Sequence, residues 1–212
     1  TGIMRKLMSH KIPCIVFCRN LPVRANNKLR KIHPFGKEIY PTTLYYDNNR
    51  IESIAPSEDG YFCGLGQLET FSCSNNQLTE LPDLFDARSV HSMITANFSG
   101  NKISTLANGD QWHGLNTETL NLADNHFSEL PARLMGSGSR IETLMLGSNG
   151  IRTIAEGALT GPYSYYLSTI DLSYNRLKEI PEKDFSVENL PYLYGIDLSH
   201  NALETVPKAP LG

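Results

Sequence analysis

The sequence lacks the features that mark most enzymes, membrane proteins and nucleic-acid-binding proteins. Its most apolar run, Cys14–Cys18, is far shorter than the roughly 20 residues needed to cross a bilayer. It contains no Walker loop, Gly-x-Ser-x-Gly motif or dinucleotide-binding glycine pattern, and no His-x-x-x-His pair. A formal net charge of −3 offers no long-range attraction to nucleic acid. These absences predict a non-catalytic chain with no cofactor, no metal site, no nucleic-acid partner and no membrane insertion.

Cysteine is also scarce, with four residues in 212. Cys14 and Cys18 would lie roughly 13 Å apart on a strand, which is too far for a disulfide. Cys63 and Cys73 could meet across a loop, but Cys73 occupies an apolar position of the repeat described below. We therefore interpret the cysteines as free, buried thiols, a reading that leaves the cellular compartment open.

What the chain does contain is one motif repeated seven times at intervals of 24 to 27 residues. The repeats align on an asparagine, and we call them coils 1 to 7. The aligned residues are Asn49, Asn76, Asn101, Asn125, Asn149, Asn175 and Asn201. Positions −5, −3, +2 and +5 relative to each asparagine are apolar or aromatic in every coil, although such residues make up only 40% of the chain.

This spacing predicts a short strand followed by a turn in each coil. Positions −5 and −3 share one face of the strand and point into the coil, whereas positions −6, −4 and −2 point outward. The asparagine side chain can donate and accept at once, so we expect it to satisfy backbone groups in its own coil and the next. A single coil cannot bury its own apolar edge, and the coils must therefore stack.

These residues resemble the leucine-rich-repeat family, whose pattern is LxxLxLxxNxLxxLP, from about Leu21 to Pro207. The resemblance implies an α/β solenoid: a right-handed horseshoe with a parallel β-sheet on the concave face and short helices or turns on the convex face. The repeat length and the prolines that follow several coils are similar to the extracellular and bacterial subclasses. The repeats as a whole are similar to those of surface leucine-rich-repeat proteins of gut bacteria.

The pattern predicts two segments. Residues 1–20 form an N-terminal edge or capping segment, and residues 21–212 form a leucine-rich-repeat domain of about eight coils. The count includes an imperfect entering coil, in which Leu29 and Ile32 fit a frame set by Asn27, whereas Leu21 and Val23 fit a frame set by Asn26. We expect the domain to continue beyond Gly212, because a solenoid end needs a polar cap and few residues follow the last coil.

Candidate binding residues follow from the outward strand positions. On the concave face and beside the ladder asparagines they are Tyr45, Asn97, Asn121, Met145, Asp171, Asp197, Tyr174 and His200. Rim candidates, on the stretches that enter the strands, are Tyr163, Tyr165 and Tyr192. Neighbouring strands lie about 4.8 Å apart, so Asp171 and Asp197 should stand side by side. Such a pair suits Ca²⁺ or a basic partner residue; the alternative is two solvated aspartates, because Asp-Leu-Ser commonly fills these family positions.

The resemblance implies a recognition module of a secreted or cell-surface protein that binds a protein or a glycan through its concave face. The alternative is a structural spacer that positions an effector or catalytic domain outside this chain. Fold-level analogy alone supports both readings.

Overall fold

The computed structural model describes residues 27–32, 41–54, 67–81, 93–105, 116–135, 140–162 and 164–205. Within them, each coil contributes one strand to a seven-stranded parallel sheet. Its strands are β2 (Thr43–Tyr45), β4 (Thr70–Ser72), β5 (Met93–Asn97), β6 (Asn116–Asn121), β8 (Arg140–Met145), β10 (Thr169–Asp171) and β11 (Gly195–Asp197). They are ordered in space as they are in sequence, which is the arrangement of a solenoid.

A second set of parallel pairings follows the asparagine turn. β1 (Lys31–Ile32) pairs with β3 (Ser53–Ile54), and β7 (Glu129–Leu130) pairs with β9 (Thr153–Ile154). A single bridge between Glu80 and Thr105 continues the pattern in coils 2 and 3. Each coil is thus hydrogen-bonded to its neighbours on both sides of the turn.

The described connections consist mostly of turns, one of the two forms expected for them. Among the described residues, the connecting segments contain turns and one 3-10 helix, η1 (Ser164–Tyr166). The parallel-sheet solenoid is therefore confirmed, whereas convex helices are not seen in the described part of the chain. Apolar residues also recur 9 to 11 residues after several of the asparagines. Of these, Leu134, Leu159 and Phe185 are buried, and Phe85 and Trp112 lie outside the described residues.

The core consists of the four apolar columns predicted from the repeat. Of their 28 residues, all but Leu106 and Val206 are described. Every described member in coils 1 to 6 is buried, and the coil 7 members Ile196, Leu198 and Leu203 are partly buried against the same cluster. In the entering coil, Ile32 is buried beside Ile54 and Leu29 packs against the core, in agreement with the frame set by Asn27.

One buried acid ties two coils together on the side away from the sheet. Asp184 is fully buried, and its two carboxylate oxygens accept hydrogen bonds from the backbone N–H groups of Gly157 at 2.8 Å and Leu159 at 3.1 Å. A buried carboxylate is tolerated only when it is hydrogen-bonded, and here both oxygens are. The preceding turn is thereby fixed to coil 6.

Candidate functional site

The seven aligned asparagines form a hydrogen-bonded ladder that fixes the backbone behind the sheet. In coil 6, the Asn175 amide donates to the carbonyls of Leu172 and Ser173 in its own coil and to that of Leu146 in coil 5. Its side-chain oxygen accepts from the N–H of Ile151, also in coil 5. The neighbour it contacts therefore precedes it, which corrects the expectation that it would reach the next coil.

The same arrangement occurs in coils 2 to 5 and in coil 7. In coil 1, the described bonds of the Asn49 amide go to its own coil, to the carbonyls of Tyr46 and Asp47. Each ladder oxygen, from Asn49 onward, accepts from the +2 N–H of the preceding coil, beginning with Leu29. Residue −1, at the turn before each asparagine, has a positive φ in every coil. The ladder bonds therefore hold the outward strand residues on a backbone whose inner polar groups are paired.

The outward positions of the seven strands lie in register and form what we call the outer face. Position −6 holds a threonine in six coils and Gly195 in the seventh. Position −4 holds Tyr45, Ser72, Asn97, Asn121, Met145, Asp171 and Asp197. Position −2 holds Asp47, Ser74, Ser99, Ala123, Gly147, Ser173 and Ser199. The surface is broad and is lined mostly by small polar side chains.

Several of these polar groups are already used within the sheet. The Oδ1 atom of Asp47 accepts from the hydroxyls of Ser72 and Ser74 and from the N–H of Ser74. Asn97 and Asn121 each accept, through Oδ1, from the N–H two residues further along their own strand. Their Nδ2 groups are the ends that the outer face presents to a ligand.

Asp171 and Asp197 occupy paired positions on neighbouring strands. Each accepts a 2.8 Å hydrogen bond from the N–H two residues later, through Oδ1. The Ser199 hydroxyl, the Ser199 N–H and nearby His200 lower the pKa of Asp197, whose side chain is exposed. Gly147 leaves room for Asp171, since a Cβ there would stand 2.9 Å from Asp171 Oδ2.

The outer face has an acidic border that alternation along a strand did not predict. Position −7 holds Thr42, Glu69, Ile94, Glu118, Glu142, Ser168 and Tyr194, and we call this column the entry edge. In a regular strand it would point inward, but Glu69, Glu118, Ile94 and Tyr194 are exposed, and it is position −8 that is buried.

An irregularity in the backbone at the start of the strands accompanies the exposure of the entry edge. The N–H groups of Ile94 and Thr95 both donate to the carbonyl of Glu69, and the N–H groups of Tyr194 and Gly195 both donate to that of Ser168. No residue is inserted, because the strand register is the same on both sides of this point. A sequence signal did exist: position −8 holds apolar Leu68, Met93, Ile141, Leu167 and Leu193.

The opposite border, which we call the exit edge, is position −1. It consists of Asn48, Asn75, Gly100, Asp124, Ser148, Tyr174 and His200, all at φ between 53° and 65°. Asn, Asp and Gly tolerate this left-handed conformation, whereas bulky side chains adopt it at a cost of roughly 1–2 kcal/mol. Tyr174 and His200 adopt it nonetheless, and their rings stack with centroids 4.1 Å apart and an interplanar angle of 14°. Tyr174 is 57% exposed.

A tyrosine-rich rim lies where the chain enters the last strands. Tyr165, in η1, is 38% exposed and its ring lies 4.3 Å from that of Tyr166. The Arg140 guanidinium stands 4.0 Å above the Tyr166 ring, a cation–π contact that ties coil 5 to this rim. Tyr192 is 67% exposed, and Tyr163 lies outside the described residues.

The structure brings only some of the predicted site residues together. Tyr174 and His200 are in contact, and Asp171 lies between Met145 and Asp197 in the register. Tyr45 is on β2, six strand spacings or roughly 29 Å from Asp197 on β11. The candidates therefore line an extended surface and do not form one pocket.

Chemistry other than binding has little support in the described part of the chain. Among those residues, no group of three or more His, Cys, Asp or Glu side chains is placed to hold a metal ion. Cys73 is free, as predicted; burial and the nearby Asp47 charge raise the pKa of its thiol. No helix within the described ranges combines the length and apolar character needed to cross a membrane.

Comparison with known proteins agrees with this architecture. A family model described as Leucine Rich Repeat matches residues 67–87. The chain is 31% identical over 135 residues to the human leucine-rich repeats and immunoglobulin-like domains protein 1, and 30% identical over 135 residues to lumican of Coturnix japonica. These alignments include 64% and 61% of this chain but only 12% and 37% of the relatives.

Solved structures align over more of the chain. A leucine-rich repeat protein from Bacteroides thetaiotaomicron is 32% identical with a TM-score of 0.71, over 85% of this chain and 22% of that one. One from Bacteroides eggerthii is 30% identical with a TM-score of 0.69, over 83% and 31%. The TLR13-ssRNA13 complex matches at 20% identity and a TM-score of 0.60, over 84% of this chain and 30% of that chain, a likeness of fold alone.

Proposed function

Because this chain is a leucine-rich-repeat protein, we propose that it is a non-catalytic recognition module that binds a protein partner through the outer face of its sheet. The main support for the proposal is the composition and register of the outer face. Seven strands in unbroken register present outward side chains that are mostly small, polar and partly exposed. A flat surface of this kind suits a macromolecular partner, since small-molecule sites are typically concave pockets with apolar walls.

The backbone beneath the outer face favours binding without rearrangement. The ladder asparagines hold each strand to the preceding coil, and the core columns below the strands are buried. A preorganised surface loses little conformational entropy on association, so that modest polar contacts contribute net affinity.

A selection experiment tests the proposal on the full chain. A library of phage-displayed peptides is selected on the immobilised protein, and bound peptides are measured against a Tyr45→Ala/Asn121→Ala/Asp171→Ala variant. We expect affinity to fall about tenfold or more, which corresponds to about 1.4 kcal/mol. Circular dichroism verifies that the variant is folded.

The matched control replaces three exposed residues that lie past the ladder turn, His126→Ala/Arg152→Ala/Lys178→Ala. It should leave binding unchanged. Equal binding by wild type and the outer-face variant would show that the outer face is not the binding surface. If an array of defined oligosaccharides binds in place of peptides, and the outer-face variant abolishes it, the partner is a glycan. If neither library binds, the spacer reading is favoured.

We also propose that the chain acts in a secreted or cell-surface protein. Its repeat length and proline-terminated coils support this, because they resemble the extracellular and bacterial subclasses of the repeat family. Protease treatment of intact source cells tests it: a surface protein is degraded while a cytoplasmic marker survives, and survival of both would contradict the proposal.

A further inference from the structure

The distribution of charge on the outer face identifies the chemistry of its partner. The face together with its entry and exit edges contains seven carboxylates: Asp47, Glu69, Glu118, Asp124, Glu142, Asp171 and Asp197. The chain has 19 Lys and Arg residues, yet none of them occupies these five columns. The surface is therefore far more acidic than the formal net charge of −3 indicates.

The carboxylates differ in how far they are committed within the protein. Asp47 is engaged by two serines of coil 2. Glu142 is only weakly engaged, with Oε1 4.0 Å from the Arg140 guanidinium. Asp171 and Asp197 each use Oδ1 for a backbone N–H, and the Ser199 hydroxyl also hydrogen-bonds Asp197. Apart from the exposed Glu69 in coil 2, the acids of this surface other than Asp47 lie in coils 4 to 7.

A second, independent feature lies in the same coils. At the exit edge, coils 1 to 5 place asparagine, glycine, aspartate or serine in the left-handed position, whereas coils 6 and 7 place Tyr174 and His200 there. Exposed aromatic side chains such as Tyr174 are enriched at protein–protein interfaces. The stacked rings follow Asp171 and Asp197 by three residues in their own coils, so an aromatic face borders the paired carboxylates.

We propose that the outer face of coils 4 to 7 binds a basic polypeptide segment, with Asp171, Asp197 and the Tyr174–His200 stack receiving an Arg or Lys side chain. Carboxylates pair with the cation, and the exposed Tyr174 ring supplies a cation–π contact. The four strands span about 14 Å, which an extended segment covers with about four or five residues. The inference rests on the proposed function, since it names the partner of the same face.

The test uses the full chain and four fluorescent probes. They are a peptide of about twelve residues with alternating Arg and Ser, the same peptide with Glu in place of Arg, a single-stranded RNA of similar length, and a heparin oligosaccharide. Anisotropy titrations at low and physiological ionic strength should show binding of the Arg peptide that weakens with salt. Binding of the Glu peptide, the RNA or heparin as tightly as the Arg peptide would overturn the proposal.

Charge neutralisation locates the site. The variant Glu118→Gln/Glu142→Gln/Asp171→Asn/Asp197→Asn keeps side-chain shape, and asparagine already makes the same N–H contact in coils 3 and 4. It should bind the Arg peptide about tenfold more weakly, through loss of four charge contacts. A matched variant, Glu52→Gln/Glu129→Gln/Glu179→Gln/Glu182→Gln, removes the same charge from exposed residues past the ladder turn and should change binding less than about twofold.

Three further results test the site and distinguish failure of this inference from failure of the proposed function. Tyr174→Ser introduces the residue that coil 5 carries at the same position and should weaken Arg-peptide binding about threefold. Equal loss in the two neutralised variants would mean that only overall charge matters and would refute the site. If selected peptides depend on the outer face but contain no excess of Arg or Lys, protein binding stands and the basic-partner inference fails.

Discussion

Removing one buried rung of the asparagine ladder tests how the coils are held together. In Asn175→Ala, the N–H of Ile151 loses its acceptor, and the carbonyls of Leu146 and Leu172 each lose one of their two ladder amides, all at 3.0 Å. The carbonyls keep the amides of Asn149 and Asn201, so only the N–H is left unpaired, at a cost of about 1–3 kcal/mol. Each lost carbonyl bond adds about 0.5–1.5 kcal/mol. We expect a total loss of about 3–5 kcal/mol, a large part of the roughly 5–15 kcal/mol that stabilises a domain.

Urea unfolding followed by far-ultraviolet circular dichroism measures this loss as a change in the free energy of unfolding. The control is Asn201→Ala, which removes the equivalent amide in coil 7, where the side chain is only partly buried and water can replace it. We expect it to cost about 1–2 kcal/mol. Equal losses in the two variants would show that burial does not set the energy of the ladder, and the reasoning would be wrong.

Three other outcomes follow from the packing. Asp184→Ala should cost about 2–4 kcal/mol, since the buried N–H of Leu159 and the partly buried N–H of Gly157 lose their acceptors, and Asp184→Asn should cost less; equal unfolding midpoints for wild type and the Ala variant would contradict this. Leu144→Ala should cost about 2–5 kcal/mol and Leu198→Ala less than about 2, because only the first is fully buried. With the other three cysteines replaced by serine, Cys73 should resist alkylation at pH 8 until urea unfolds the chain, because burial raises the pKa of its thiol; rapid labelling of the native protein would refute its burial.

Much of the fold could be predicted because a single sequence repeat specifies the structure of every coil. The four apolar columns and the ladder positions recur in every coil, and side-chain alternation is enough to say which residues point inward. The parallel register of Asp171 with Asp197 follows from the same spacing. The predicted direction of the ladder was wrong, because the spacing fixes where each asparagine lies but not which neighbouring coil its side chain reaches.

The candidate site could be predicted less completely. The entry edge was missed because the backbone is irregular where two neighbouring N–H groups share one carbonyl, and the alternation of buried and exposed residues shifts by one residue there. The acidic character of the face depends on Glu118 and its equivalents there. The stacking of Tyr174 on His200 could not be read from a single coil either, because it arises between residues 26 positions apart on neighbouring turns.

Because each ladder asparagine forms hydrogen bonds with the preceding coil, the coils of the solenoid have a defined order of assembly. Each asparagine completes the backbone of the coil before it, as Asn175 does for Ile151 and Leu146. During synthesis the chain emerges from its N-terminus, so every coil stays unfinished until the ribosome has delivered the asparagine of the following coil. Folding that follows translation would then advance one coil behind the growing end, and only one incomplete coil at a time would be exposed to misassembly.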